Sequence, residues 1–383
     1  MRTVLISGAS VAGLTAAYWL RRRGFAPTVV ERAPALRPGG QAVDVRGVAL
    51  DVLERMDLLE EARALRTRMR GMSMVDGEGN EQWRSTEVAL SSGRLDGEDI
   101  ELLRDDLTRL LHERVRDEAE DAFETEFVFG DSLTALTVDA DGAHAEFAHG
   151  APRTFDLVVG ADGLRSTTRR LAFGPEGDFL HHLGQHVAVF SSENFLKLED
   201  WQVWMQHEGS GYCVYPAPGN AELRTTIGFT SEGPEEYDHR DTGAQKALLA
   251  ERLGHLGGDV PRLLEVMREA PDFYFDAMAQ VRMESWVRGR AALVGDAGYC
   301  PSPLSGQGSS LALVGAYVLA DELGKEGAEG TEGDLAAGLA RYDARMRPFV
   351  AVNQALATEN PGRGASEESV ERAKNALDLG PLS

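Results

Sequence analysis

Two cysteines in 383 residues, Cys213 and Cys300, are too few for a disulfide framework and fit a chain that works in a reducing compartment. Basic residues are also scarce: 39 Lys and Arg stand against 62 Asp and Glu, a formal charge of −23. That balance argues against nucleic acid or an anionic membrane as partner. No apolar run is long enough to span a bilayer. The opening stretch is strand-length and broken at Gly8, so neither a signal peptide nor a membrane span is expected, and the cytoplasm is the expected location. No internal repeat, metal-ligating cluster or Ser-His-Asp set stands out. What remains, 43% hydrophobic and 26% charged, can bury a large core in two closely packed domains.

The most informative stretch lies late in the chain. Ala291-Ala292-Leu293-Val294 is a short apolar strand ending in Gly295-Asp296, whose carboxylate can accept hydrogen bonds from a sugar-like chain. A turn rich in Pro and Gly follows, from Pro301 through Pro303 and Ser305 to Gly306, Gln307 and Gly308, where a planar ring can approach bare backbone. The helix through Leu311, Leu313, Val314, Val318 and Leu319 then directs its free N–H groups and positive dipole end at that turn. Such a terminus would stabilise negative charge on a reduced flavin.

The N-terminus points the same way. Thr3-Val4-Leu5-Ile6 suits a buried parallel strand, and Gly8-Ala9-Ser10-Val11-Ala12-Gly13 follows before a helix expected from about Leu14 to Arg23. This is a dinucleotide fingerprint in which Ser10 replaces the second glycine, and its hydroxyl could itself donate to phosphate. A second strand, Thr28-Val29-Val30, ends at Glu31-Arg32, where an acid is expected to meet a ribose hydroxyl. Arg46 precedes an expected helix from Val48 to Met56, and Arg104 precedes another from Asp105 to Val115. A cation beside a helix N-terminus costs a few tenths of a kcal/mol to about 1 kcal/mol unless an anion compensates. Phosphate or flavin would do so, and Asp44, Asp105 or Asp106 could as well. A further strand, Phe155 to Val159, ends in Gly160-Ala161-Asp162-Gly163, followed by Arg165, Ser166 and Arg169.

On these three ordered motifs the chain resembles the single-component flavoprotein monooxygenases of the para-hydroxybenzoate hydroxylase type, over nearly its whole length. The likeness is greatest to their compact branch of tetracycline-inactivating enzymes and natural-product hydroxylases. The resemblance implies an α/β fold with a discontinuous Rossmann-like FAD-binding domain, an inserted antiparallel-sheet substrate domain and C-terminal helices. The expected segments are 1–70, 98–172 and 286–322 for FAD, 71–97 and 173–285 for substrate, and 335–383 for the closing helices. It also implies that Glu31 binds the adenosine ribose, that Arg46 and Arg104 line the FAD site, that Asp162 serves FAD and NAD(P)H, and that Asp296 meets the ribityl chain. Pro303 and the backbone of residues 305–308 would face the isoalloxazine. NAD(P)H would reduce FAD, O2 would add as a C4a-hydroperoxide, and one oxygen atom would pass to an electron-rich carbon. The nicotinamide cofactor has no second fingerprint and would bind transiently. Epoxidation and Baeyer–Villiger insertion are variants of this chemistry, and a non-catalytic flavin or natural-product binder is an alternative of another class. The halogenase motif W-x-W-x-I-P is missing, since Trp201-Gln202-Val203-Trp204 has the wrong spacing.

The middle of the chain reads as an antiparallel sheet with strands His186 to Ser191, Trp201 to His207, Gly211 to Tyr215 and Leu223 to Phe229. Helices near Ala244 to Leu253 and Val260 to Arg268 precede a strand from Phe273 to Val281. Residues 324 to 334 read as a surface linker, and helices are expected from Leu335 to Leu356 and after Ser366. The aromatic content of the middle strands, with Arg224 as the main cation, favours a bulky aromatic substrate over a small benzoate. Gln185, Trp201, Gln202, Met205, His207, Tyr212 and Arg224 are the expected substrate contacts, although alternation along Trp201 to His207 leaves open which face lines the pocket. No catalytic side chain is singled out. A monomer or weak homodimer is expected.

Overall fold

The computed structural model describes residues 2–89, 93–117, 124–233, 235, 237–239, 241–325, 332–360 and 364–381. Two sheets organise it. The first has six strands in the order Val287–Arg288, Ala291–Leu293, Leu157–Gly160, Arg2–Ser7, Phe25–Glu31, Glu126–Phe129, all parallel except the first pair. Its central strand is apolar on both faces because both are covered. Val4 and Ile6 join the helical core with Leu14, Leu20, Leu313 and Leu319, while Leu5 packs with Leu133, Ala143 and Phe155 from a three-stranded meander on the opposite side. Ser7, Gly160, Leu293 and Val30 lie in register, so the turns that follow these strands leave one edge of the sheet together.

The second sheet has seven strands: Tyr274–Val281, Leu180–Glu193, Glu222–Thr230, Ser210–Pro216, Trp201–His207, Gly71–Val75 and Glu81–Ser85. It is not purely antiparallel, because Gly71–Val75 pairs in parallel with Trp201–His207. One face is packed by the helices Thr242–Leu253 and Val260–Glu269, through Phe190, Met205, Tyr212, Val214 and Ile227 against Leu249, Leu253, Leu263 and Met267. The other face turns to the first sheet. There the Tyr215 hydroxyl accepts a hydrogen bond from the Ala42 amide at 2.6 Å, and Asp276 pairs with Arg165.

Local boundaries differ from the sequence reading in instructive ways. The first helix begins at Val11 and not Leu14, since Gly13 is already helical. The strand expected over His186 to Ser191 extends over Leu180–Glu193, carried past polar residues by neighbours on both sides. The expected linker at residues 324–334 lies largely outside the described residues, and its last part belongs to the helix Glu332–Ala355, which runs through Pro348. The helix Glu367–Lys374 follows, capped by the Ser366 hydroxyl. No helix among the described residues is long and apolar enough to cross a membrane.

Candidate flavin and substrate site

The fingerprint turn is built by close approach. Gly8 has φ +109°, and a Cβ there would lie 2.5 Å from the Ala161 carbonyl oxygen; a Cβ at Gly13 would lie 1.9 Å from the Gly8 oxygen. The first and third glycines are therefore required by backbone packing. Ser10 precedes the helix Val11–Arg22, but its hydroxyl donates to the Ala161 oxygen at 3.2 Å. The sequence reading offered that hydroxyl to phosphate; in the structure it ties the first turn to the Asp-Gly turn instead. No side chain caps the helix start at Val11 and Ala12, which leaves its amides to a ligand. Glu31 holds the same turn from the second strand, accepting from the Ala9 amide at 3.0 Å and the Ala33 amide at 2.9 Å. Arg32 is exposed beside it.

Asp162 is occupied by its own loop. It accepts from the Thr168 amide at 2.9 Å, the Thr168 hydroxyl at 3.0 Å and the Ser166 hydroxyl, and so braces the start of the helix Thr167–Ala172, which Ser166 caps. The fully buried Arg169, which the sequence reading left out of the site, joins this turn to the Gly-Asp turn by donating to the Leu164 and Ala297 oxygens at 2.7 and 2.9 Å.

In that third turn Gly295 has φ +63°, and a Cβ there would come within 3.0 Å of Ala12. Asp296 makes no ion pair among the described residues, and burial pushes its carboxyl up, opposed by Cys300 and Arg169. Pro303–Ser305 forms a single turn, Gly306 is left-handed at φ +64°, and the helix Gly308–Gly324 starts with no side-chain cap. Gln307 is fully buried, and neither polar atom of its amide has a partner among the described residues. Cys300 points its thiol at the Ala279 oxygen, and burial pushes it well above the ordinary range, so it packs as a neutral thiol.

The two arginines differ. Arg46 is paired with Asp44 at 2.8 Å beneath Gly306. Arg104, the first residue of the helix Arg104–Asp117, donates to the Gly39 oxygen at 2.7 Å and makes no ion pair among the described residues. Burial lowers its affinity for its proton, and the like charges of Arg37 and Arg224 lower it further, with Asp105 opposing.

The register settles the parity of the substrate sheet. Opposed residues share a face, and Val203↔Val214, Met205↔Tyr212 and Tyr212↔Ile227 place Trp201, Met205, His207 and Tyr212 on the helix-packed side. These four expected substrate contacts lie on the face packed by the helices, opposite the one turned to the first sheet. Met205 and Tyr212 fill the core, the Tyr212 hydroxyl donating to Asp259 at 3.1 Å; the Trp201 indole donates to Ser73 at 3.0 Å; and His207 is solvated. The alternate set, Gln202, Trp204, Cys213, Tyr215 and Arg224, faces the flavin turns, as does the half-buried Gln185 near a bulge. The fully buried Gln202 accepts from the Trp204 indole at 3.0 Å. Arg224 is already engaged by Glu222 at 2.8 Å and by Asp105 and Asp272 at 3.7 Å, which makes it a poor anchor for a further carboxylate.

This constellation matches a known family. A model described as "FAD binding domain" matches residues 1–356. A flavin-dependent monooxygenase of Legionella longbeachae is 37% identical over 352 residues, 92% of this chain and 86% of that one. The chain belongs to the class A FAD-dependent monooxygenases. An uncharacterized protein of Mycobacterium tuberculosis is 49% identical over 381 residues, 99% of each chain. The crystal structure of tetracycline destructase Tet(51) superposes with a TM-score of 0.87 at 33% identity, covering both chains completely. The site residues fit the flavin of this family: a glycine cradle at Gly8, Gly13 and Gly295, a half-buried carboxylate at Asp296 with no ion pair among the described residues, and a buried amide at Gln307 with no partner among them.

Proposed function

We propose that this monooxygenase uses NAD(P)H and O2 to hydroxylate a bulky polycyclic phenol or polyketide-like natural product. Support for the substrate class comes from the likeness to a tetracycline destructase over the entire chain, closing helices included. The segments around the six-stranded sheet form the FAD-binding part in this reading, and the seven-stranded sheet covers the substrate. Glu31 takes the adenosine ribose, Arg46 and Arg104 the phosphates, and Asp296 the ribityl hydroxyls. Pro303 and the backbone at Gly306, Gln307 and Gly308 border the ring, while Asp162 acts through the loop it braces. Gln185 remains a polar substrate contact in this reading, with the fully buried Gln202 and the carboxylate-paired Arg224 behind it.

Bound flavin, once reduced, supplies the oxygen-transfer chemistry; the protein binds, orients and keeps water out. In this reading the helix Gly308–Gly324, which starts with no side-chain cap, would turn its N–H groups and positive dipole end toward the negative charge of a reduced flavin. Product mass spectrometry with 18O2, comparing tetracyclic phenols with simple hydroxybenzoates, tests the reading. Incorporation of one labelled atom into the former supports it, and coupled turnover of hydroxybenzoates alone overturns the substrate class.

Arg104→Ala is expected to lower FAD affinity or slow flavin reduction while leaving the circular dichroism spectrum unchanged, because a cation crowded by Arg37 and Arg224 serves an anion better than it serves the fold. Normal binding together with normal reduction would refute that role.

Asp44 adds a pH dependence. Burial pushes its carboxyl up to about 7, against the pull of Arg46 and with help from Glu101 and Asp99. An acid with a raised folded-state pKa binds a proton that the unfolded chain releases, so stability falls as pH rises from about 4 through 7. Below 7 the neutral Asp44 also leaves Arg46 to the phosphate. FAD affinity is expected to drop about fivefold from pH 6 to 8, corresponding to about 1 kcal/mol of screened charge interaction. Titrations of Asp44→Asn apoprotein should be flat over that range, and an unchanged slope would exclude Asp44 as its source.

A further inference from the structure

Tyr274 was passed over in the sequence and stands out in the structure. It opens the outer strand Tyr274–Val281, and the pairing Val189↔Tyr274 puts it with Asp276 on the face turned toward the flavin motifs. The residue is 46% exposed. Yet burial pushes its hydroxyl well above the usual tyrosine range, and the charges of Asp276, Asp296 and Cys300 push it further. Asp276, two residues on along the same face, is bonded to Arg165 of the Asp-Gly turn, so the exposed Tyr274 ring opens on the cleft between that turn and the substrate sheet.

The proton inventory around Tyr274 is closed. Its hydroxyl donates to Oδ2 of Asp276 at 3.2 Å. Asp276, 5% exposed, is paired with Arg165 of the Asp-Gly turn, with Nη2 to Oδ1 at 2.6 Å and Nε to Oδ2 at 3.3 Å. The Ala277 amide also donates to Oδ1, at 2.8 Å. A carboxylate only accepts, so the single phenolic proton of Tyr274 is committed to it. What the tyrosine oxygen can offer the cleft is a lone pair.

We propose that Tyr274 is a substrate-recognition residue whose oxygen accepts a hydrogen bond from a ring hydroxyl of the aromatic substrate. Asp276 and Arg165 are its positioning residues: they fix the direction of the tyrosine proton and touch no substrate. The inference rests on reading the cleft as a site for hydroxylated aromatics. It adds a specificity rule, that a free phenol is accepted and its methyl ether, which has no proton to give, is not.

The test is a binding cycle on the FAD-loaded protein, read from perturbation of the flavin visible spectrum. Probes are tetracycline, 2-naphthol and 4-hydroxybenzoate, with 2-methoxynaphthalene and 4-methoxybenzoate as the ethers. Wild type is expected to favour a phenol over its ether about tenfold, the size of one hydrogen bond. Tyr274→Phe, which keeps the ring and the fold, should abolish that preference, a change that a merely structural role would not produce. A preference that survives Tyr274→Phe overturns the proposal, as does a wild type that binds no phenol or binds phenol and ether alike. Binding of 4-hydroxybenzoate or 2-naphthol without tetracycline, with the preference lost in the variant, supports Tyr274 while overturning the bulky-substrate reading.

Discussion

Asp296→Ala is expected to give a folded protein that purifies without its yellow colour. The carboxylate is half-buried at the start of a short helix, makes no ion pair among the described residues, and sits where desolvation works against its charge. A group in that state does not stabilise the empty fold: its raised pKa means that folding disfavours the ionised form, so the contribution to stability falls as pH rises through the shifted range. Its removal should leave the melting temperature of the apoprotein unchanged or higher. The loss appears on the ligand side. A hydrogen bond to a charged acceptor contributes about 1.5–3 kcal/mol, so FAD affinity should fall about tenfold to a hundredfold, and the rise in melting temperature on adding FAD should shrink with it. Asp296→Asn, which still accepts but carries no charge, should lie between. A variant that retains stoichiometric FAD through purification would remove Asp296 from the cofactor site.

Why some of this was legible in the sequence and some was not follows from what each residue type can and cannot do. Gly8, Gly13 and Gly295 announce themselves because their positions admit no Cβ, and that constraint is local. The parallel sheet is equally readable, since Val4, Leu5 and Ile6 are all apolar and only a strand covered on both faces wants that. Trp201 to His207 is different. One alternating set carries Trp201 and Met205, the other Trp204 and Gln202, and both faces of the sheet are covered, so polarity does not separate core from cleft. Only the pairing of Met205 with Tyr212, set by neighbouring strands, decides it. Asp162 was found by position, but its carboxylate is used in bracing the loop before the next helix, whose N-cap is Ser166, and a six-residue spacing to Thr168 gives no capping signal in the sequence. Tyr274 and Arg169 gave no such signal: their meaning depends on Asp276, Arg165 and Ala297, which are distant in sequence or ordinary in pattern.

The sharpest contrast lies within the fingerprint itself, between a substitution that fits the chemistry and one that fits the pattern. Gly13→Ala adds a single methyl group, but its Cβ would lie 1.9 Å from the Gly8 carbonyl oxygen, a backbone atom held by the Gly8 amide bond to Val30 at 2.8 Å. Neither partner can turn aside as a flexible side chain would, so the first strand and first helix must separate, at a cost of about 3 kcal/mol or more. Ser10→Gly, in contrast, restores the consensus glycine. It removes the hydroxyl that donates to the Ala161 oxygen and frees the backbone before the helix, each worth about 1 kcal/mol against folding, with no steric block relieved at the ligand side. The expected outcome is that Gly13→Ala loses FAD and most of its thermal stability, while Ser10→Gly binds FAD within about threefold of wild type, the spread of a fraction of a kcal/mol. Melting curves of the apoproteins and FAD titrations of both variants measure this. A Ser10→Gly variant that gained tenfold in FAD affinity would show that the serine obstructs the pyrophosphate, and would reverse the account of Ser10 as a tie between the first turn and the Asp-Gly turn.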